Sequence, residues 1–372
     1  MIRNLPSVAC SLALAATLAA QDTIKIGEYA SLTGKEAAYG DTSHKGIVLA
    51  IEELNTHGGV LHQKLELLTE DNQSKQGESA TVVKKLISRD HVVALLGEVA
   101  SIRSLEAAPV IQNAKLPMVS SASVNSKVTE AGDYIFRVCF VDSFQGVVLA
   151  KFVQESLKVR RVAILTSVNS AYSVGMTRVF KERFLADGGT VTAEQKYSEG
   201  DKDFRAQLTA IKAAGADAIF ASGYYTEAAL ICRQARALGL TLPVFGGDGW
   251  DAPALLEIGG AAMEGTYFST HYSPDNPSAE VQNFNQRYKA RWGEVPDAWA
   301  ALGYDSAFVL ADAMKRAGST EPAKVRDALA ATKDFPAVTG HITMDAHRNP
   351  SKSAVILTIK DGKYKFVSSV AP

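Results

Sequence analysis

Cysteine is scarce. The 372 residues carry 3 of them, and once Cys10 is set aside with the apolar N-terminus, only Cys139 and Cys232 remain. No CxxC pair and no Cys/His spacing of the metal-binding kind occurs, so no metal is assigned. The 7 histidines are scattered, none beside a plausible nucleophile. The GxSxG elbow, the HExxH pair, the P-loop and the GxGxxG turn are all missing, so the sequence assigns no catalytic residue and no cofactor. Charge of one sign is lacking too: 39 Lys and Arg against 40 Asp and Glu leave a net charge of −1, without the basic field that draws a nucleic acid or an anionic membrane. After the N-terminus no apolar run approaches the roughly 20 residues a membrane-spanning helix needs. Low-complexity stretches and long Pro/Gly linkers are absent as well.

Residues 1–20 hold one cation, Arg3, followed by an apolar run from Ser11 to Ala20 that closes on small residues. This pattern predicts a cleavable signal peptide and export. Cys139 lies near an expected crossing between domains and Cys232 within a helix, so both are expected as free buried thiols rather than as a disulfide. At about 100 to 200 residues per domain, the length predicts two domains.

From Ile24 onward, short apolar runs alternate with helical patterns: IKIG, KGIVLAIEEL closed by Gly58 and Gly59, LELLTE, ATVVKKLIS and VVALLG. After a loop over residues 120–133 the same series restarts with RVAILTS, a helix through Phe184, VTAEQKY, DFRAQLTAIKAAGAD and AIFASGYY. Strands alternating with helices predict parallel sheets, and two such series predict two lobes. A third portion, residues 278–332, reads as mainly helical, and the chain ends in a strand hairpin turning at Asp361 and Gly362.

Residues 223–251, GYYTEAALICRQARALGLTLPVFGGDGWD, join an aromatic pair at one strand end to a carboxylate at the next. Ligands of open parallel sheets bind outside the carboxyl ends of the strands, so Tyr224, Tyr225 and Asp248 are expected to face one cleft. Aromatic walls with one acid suit a small amino-bearing ligand.

Taken in order, IKIGEYASLTG with AAYGD, NTHGGVLHQKLELLTEDNQS, LLGEVAS, LPMVSSASVN, DKDFRAQLTAIKAAGADAIFASGYY, RQARALGL and FGGDGWDAPAL make the chain resemble the type I periplasmic solute-binding proteins, in particular the branched-chain amino-acid (Leu/Ile/Val) binding group of ABC importers. The resemblance implies an α/β fold of two Rossmann-like lobes with parallel central sheets, joined by a three-crossing hinge. By alignment the crossings fall near Val141, Thr270 and Asn349, giving a first lobe of residues 21–141 plus 271–349 and a second of 142–270 plus 350–372. It also implies a carrier in the periplasm, which captures a small amino acid, branched-chain or otherwise hydrophobic, or a related carboxylate by hinge closure and delivers it, as a monomer, to an ABC permease in the inner membrane. A ligand-sensing module is the other use of such a fold.

The same resemblance assigns the site. Ser101, opening the helix after LLGEVA, would bind the ligand carboxylate, although a plain N-cap is the competing role. Asp248 would meet the ammonium. Backbone groups around Ala122, Ser123 and Val124 would hold the ligand head, with Tyr39, Tyr172, Tyr224 and Trp299 around its side chain and Trp250 near the mouth. Tyr39 and Tyr172 stand in polar, glycine-flanked segments where a core tyrosine is less expected. Many relatives carry a threonine at the position of Val124, and the missing hydroxyl removes about 1 kcal/mol of hydrogen bonding, which with the tyrosine-rich wall keeps aromatic amino acids, aromatic acids and short amides open as ligands. Arg103 stands where relatives tend to have small residues, and reads as a solvated helix face or, less commonly, as a partner for an acidic ligand. Gln73 and Ala100 occupy the positions of a disulfide found in some relatives.

Overall fold

A computed structural model describes residues 23–371; the expected signal peptide lies outside the described residues. Five strands, β1 (Ile24–Ala30), β2 (Leu65–Asp71), β3 (Ala94–Leu96), β4 (Met118–Ser120) and β5 (Ile135–Arg137), form one sheet in the order β2-β1-β3-β4-β5, parallel throughout. Seven more, β6 (Arg161–Ser167), β7 (Thr190–Tyr197), β8 (Ala218–Ser222), β9 (Val244–Gly246), β10 (Tyr267–Thr270), β11 (Ala354–Lys360) and β12 (Lys363–Val370), form a second sheet in the order β12-β11-β10-β9-β8-β6-β7. Within it β6 to β10 are parallel, whereas β11 runs antiparallel to β10 and β12 antiparallel to β11. The expectation of parallel central sheets therefore holds for the core strands, and the C-terminal hairpin adds an antiparallel edge. Asp361 and Gly362 both have positive φ, 53° and 68°, as a tight hairpin turn requires.

The five parallel strands of the second sheet repeat the arrangement of the first: each series pairs its first strand with its second on one side and its third on the other. Each sheet thus has a switch point beside its first strand, where connections diverge to opposite faces and leave a crevice. The helices α1 (Ala37–Thr56), α2 (Glu78–Ser88), α3 (Ser101–Asn113) and α4 (Lys127–Glu130) accompany the first sheet. The short α4 turn interrupts what the sequence read as a loop. The helices α5 (Asp142–Glu155), α6 (Ala171–Ala186), α7 (Arg205–Ala214), α8 (Tyr225–Ala237) and α9 (Pro253–Gly259) accompany the second.

After β10 the chain returns to the first lobe as α10 (Ala279–Trp292), α11 (Ala298–Ala317) and α12 (Pro322–Ala330) before re-entering the second sheet at β11. Local signals fix these helices: Ser278 and Asp297 accept N-terminal N–H groups of α10 and α11, and Gly293 and Gly318 end them in left-handed conformation.

Helices α1 and α11 approach at backbone contact because two glycines face each other's chain. A Cβ on Gly46 would stand 2.0 Å from the Ala300 carbonyl oxygen, and one on Gly303 2.2 Å from that of Ser43. This close crossing brings Tyr39 near the start of α1 to Trp299 at the start of α11, with ring centroids 5.2 Å apart. Cys139 and Cys232 are free and buried, as the sequence predicts.

Candidate functional site

Both sheets direct the carboxyl ends of their strands at one small chamber between the lobes. It is lined by Tyr39, Val99, Ser101, Ala122 and Val124 with Trp299 from the first lobe, and by Tyr172, Tyr224, Asp248 and Gly249 from the second. Of the nine residues expected to touch the ligand, all but Ser123 therefore meet here. The chamber as closed leaves about 10 Å³ for the centre of a water molecule, the threshold for holding one. A larger ligand enters only when the lobes part.

Ser101 is the first residue of α3, and Ala100, not Ser101, is the N-cap. The Ser101 hydroxyl accepts from Asn125 N at 3.2 Å and stands where the free N–H groups and partial positive charge of the helix start favour an anion. Val124 turns its side chain to the same space, and its carbonyl accepts from Asp142 N at 2.8 Å. Across the chamber Asp248 is 2 % exposed. Its Oδ1 accepts from Gln145 Nε2 and its Oδ2 from His271 Nε2, both at 2.9 Å.

Tyrosine rings form the walls. Tyr172 and Tyr224 stack at 5.3 Å and 13°, and Tyr39 meets Tyr224 and Tyr225 with centroids 5.5 and 5.2 Å apart. Burial holds the phenols of Tyr39, Tyr172 and Tyr224 well above their ordinary value, so each keeps its proton to donate. Tyr39 donates to the Gly249 carbonyl and accepts from Tyr225 N, while Gly249 N donates to the Tyr172 hydroxyl. Trp299 Nε1 donates to the Asp251 carbonyl. One aromatic edge thus sews the first lobe to the second. At the cleft mouth Lys35 pairs with Glu199, and Tyr225 donates to the Lys35 carbonyl at 3.3 Å.

Three expectations are corrected. Ser123 does not reach the chamber: its hydroxyl bonds the Glu98 carbonyl at 2.9 Å and Ser104 at 2.8 Å, its N–H donates to Ser120, and its carbonyl accepts from Arg137. Every polar group of Ser123 is spent behind the loop, where none replaces the hydroxyl that Val124 lacks. Trp250 is fully buried rather than at the mouth, its indole filling the space beside Gly246, where a Cβ would stand 2.3 Å from it. Arg103 is neither solvated nor turned to a ligand. It is 4 % exposed, with Nε 2.9 Å from Glu36 Oε2 and a second nitrogen 2.7 Å from the Ser74 carbonyl.

Sequence reasoning missed Gln145 and His271, the two donors behind Asp248. His271 does follow a buried strand directly, which is a position for site residues, but no motif marks it.

Compared with known proteins, residues 23–363 match the family model described as "Periplasmic binding protein". The chain belongs to the periplasmic binding protein family. Among relatives of this periplasmic binding protein is the Leu/Ile/Val-binding protein BraC3 of Rhizobium johnstonii, 33% identical over 325 residues that span 86% of this chain and 87% of the relative. The leucine-binding protein LivK of Thermotoga maritima superposes with a TM-score of 0.91 at 40% identity, covering 94% of this chain and 99% of its own. The branched-chain amino-acid binding protein LivJ of Streptococcus pneumoniae, solved in complex with isoleucine, gives 0.89 at 35% identity, covering 94% of this chain and 100% of its own. Among the described residues no helix is long and apolar enough to cross a membrane, and no group of three or more His, Cys, Asp or Glu could hold a metal ion.

Two buried carboxyls near the site make stability depend on pH. Burial, with Asp297 nearby, pushes Asp251 up from 3.8 to about 8, and burial, with Glu36 nearby, pushes Glu98 up from 4.5 to about 7. Between those limits the folded chain holds more protons than the unfolded chain. Their contribution to stability is therefore complete at acid pH and is lost as pH rises through about 7 to 8. Asp251→Asn removes one of these titrations, so its thermal midpoint relative to wild type should climb between about pH 5 and pH 8. An offset that stays constant across that range would count against the assignment.

Proposed function

We propose that this protein is the ligand-capturing component of an ABC importer, binding a small aliphatic α-amino acid between its lobes and presenting the closed form to a membrane permease. The observation that carries this reading is the opposition, across one aromatic chamber, of a helix start at Ser101 and a buried carboxylate at Asp248. A zwitterion has one charge for each. The leucine-binding and isoleucine-bound relatives support the same ligand class.

In this reading the protein is a monomeric carrier and not an enzyme, and residues 1–20 direct it to the periplasm and are then removed. The first lobe comprises residues 21–141 and 271–349, the second 142–270 and 350–372. The open form takes ligand on Ser101 and on the backbone at Ala122 and Val124. Closure then adds Tyr172, Tyr224 and Asp248, contacts available only when both lobes touch the ligand.

A second reading rests on Val124, whose side chain offers no hydroxyl to an ammonium: the ligand is then an amine-free aromatic acid or short amide. Calorimetric titration of the refolded, ligand-stripped chain from Gln21 separates the two, using the twenty amino acids, benzoate-type acids and short amides. Binding near micromolar, about −8 kcal/mol, confined to aliphatic amino acids is the expected result. Binding only to amine-free ligands would keep the carrier role and overturn the ammonium site. Absence of binding throughout the panel would overturn both.

A further inference from the structure

Asp248 is nearly inaccessible to water, yet the groups that hold it from behind carry no fixed charge. Gln145 Nε2 contacts Oδ1 at 2.9 Å and also donates to Ser269 Oγ at 2.9 Å. The His271 ring meets Oδ2 through Nε2, while its Nδ1 has no hydrogen-bond partner among the described residues. A carboxylate accepts and does not donate, so the imidazole proton sits on Nε2. Burial draws the His271 pKa below its ordinary value against the opposing pull of Asp248, which leaves the ring neutral at neutral pH.

The ring is also held in place. It lies face to face with Phe140, with centroids 3.6 Å apart and planes 24° apart. Phe140 stands in the segment that leaves the first sheet after β5, and His271 in the segment that leaves the second after β10. The donor that grips Asp248 is therefore anchored where two of the chain's passages between the lobes run side by side.

We propose that His271, assisted by Gln145, is a positioning residue that makes the site select ligands bearing an amine, by fixing the Asp248 carboxylate without cancelling its charge. An arginine or lysine in the same place would neutralise the charge that an ammonium needs. A carboxylate buried without donors would take up a proton or turn away. Two neutral donors avoid both outcomes. A carboxylate offers about four acceptor positions; Gln145 and His271 take one on each oxygen and the Tyr172 hydroxyl faces a third, so at least one remains for the ligand.

This inference rests on Asp248 receiving the ligand ammonium, and the test separates the two claims. Affinities for leucine and for 2-hydroxy-4-methylpentanoate, which carries a hydroxyl in place of the ammonium, are measured by calorimetry on the wild type and three variants. A wild type without preference for leucine would overturn the ammonium site itself. With that preference present, His271→Phe keeps a ring on Phe140 and removes the donor, and should cut the leucine-to-hydroxy-acid preference by about tenfold. His271→Gln restores an N–H and should return the preference to within about threefold of wild type. Gln145→Met removes the other donor and should shift the preference the same way, which keeps the test open should His271→Phe fail to fold. Equal weakening toward both ligands in the variants that fold would reduce His271 and Gln145 to structural residues, and an unchanged preference would overturn the proposal.

Discussion

Asp248→Ala should weaken leucine binding by well over tenfold, with an expected loss on the order of 2–5 kcal/mol, because the change strips a desolvated ammonium of its counter-charge. Closure sharpens the effect. In an open cleft bulk water would solvate the stripped ammonium, whereas lobes closed around the ligand shield it from bulk water. The change also leaves the Gln145 and His271 donors facing a void, which should lower unfolding stability by about 1–3 kcal/mol without moving the other side of the chamber. The 2-hydroxy acid has no positive charge to lose and should be affected far less. Calorimetry with both ligands checks this, and leucine affinity within about threefold of wild type would move the ammonium away from Asp248.

What could be read from the sequence follows from how each residue is positioned. Tyr224 and Asp248 were legible because the carboxyl end of a parallel strand is recognisable locally, and in such sheets those ends share one edge. Tyr39 and Tyr172 were legible from their polar, glycine-flanked surroundings, although both stand in the first turns of helices rather than in loops. The order of the strands, by contrast, is a property of the whole sheet, and three-residue strands such as β5 leave little local pattern.

Ser123 failed for a different reason. Sequence located the turn after β4 and assigned its backbone at Ala122, Ser123 and Val124, but the groups that claim Ser123 from behind, Ser120, Arg137 and Glu98, are announced by no local pattern. The assignment of Trp250 shows the same limit, since a tryptophan just past a strand end serves core or cleft equally well by pattern. His271 and Gln145 come from two other elements, β10's exit and α5, so their meeting at Asp248 is a tertiary fact with no spacing to announce it.

Arg103 was misread because its partner is distant in the chain. On α3 it looked like a charge on an outer face, whereas Glu36, 67 residues earlier, sits just before α1 and pairs with it in the interior. Glu36 is 1 % exposed, and burial raises its pKa against the lowering pull of Arg103. The guanidinium also satisfies the Ser74 carbonyl and reaches Glu106 at 3.2 Å. Arg103→Leu should therefore destabilise the fold by about 3–5 kcal/mol, the cost of leaving a buried charge without its partner. The pair itself need not be strongly stabilising, since two desolvated ions offset much of their attraction. Adding Glu36→Leu to Arg103→Leu should recover much of the loss, a result that a solvated arginine or a simple loss of packing volume would not produce. Urea unfolding of the two single variants and the double variant measures the coupling. A loss below about 1 kcal/mol for Arg103→Leu would mean that the ion pair is open to water after all.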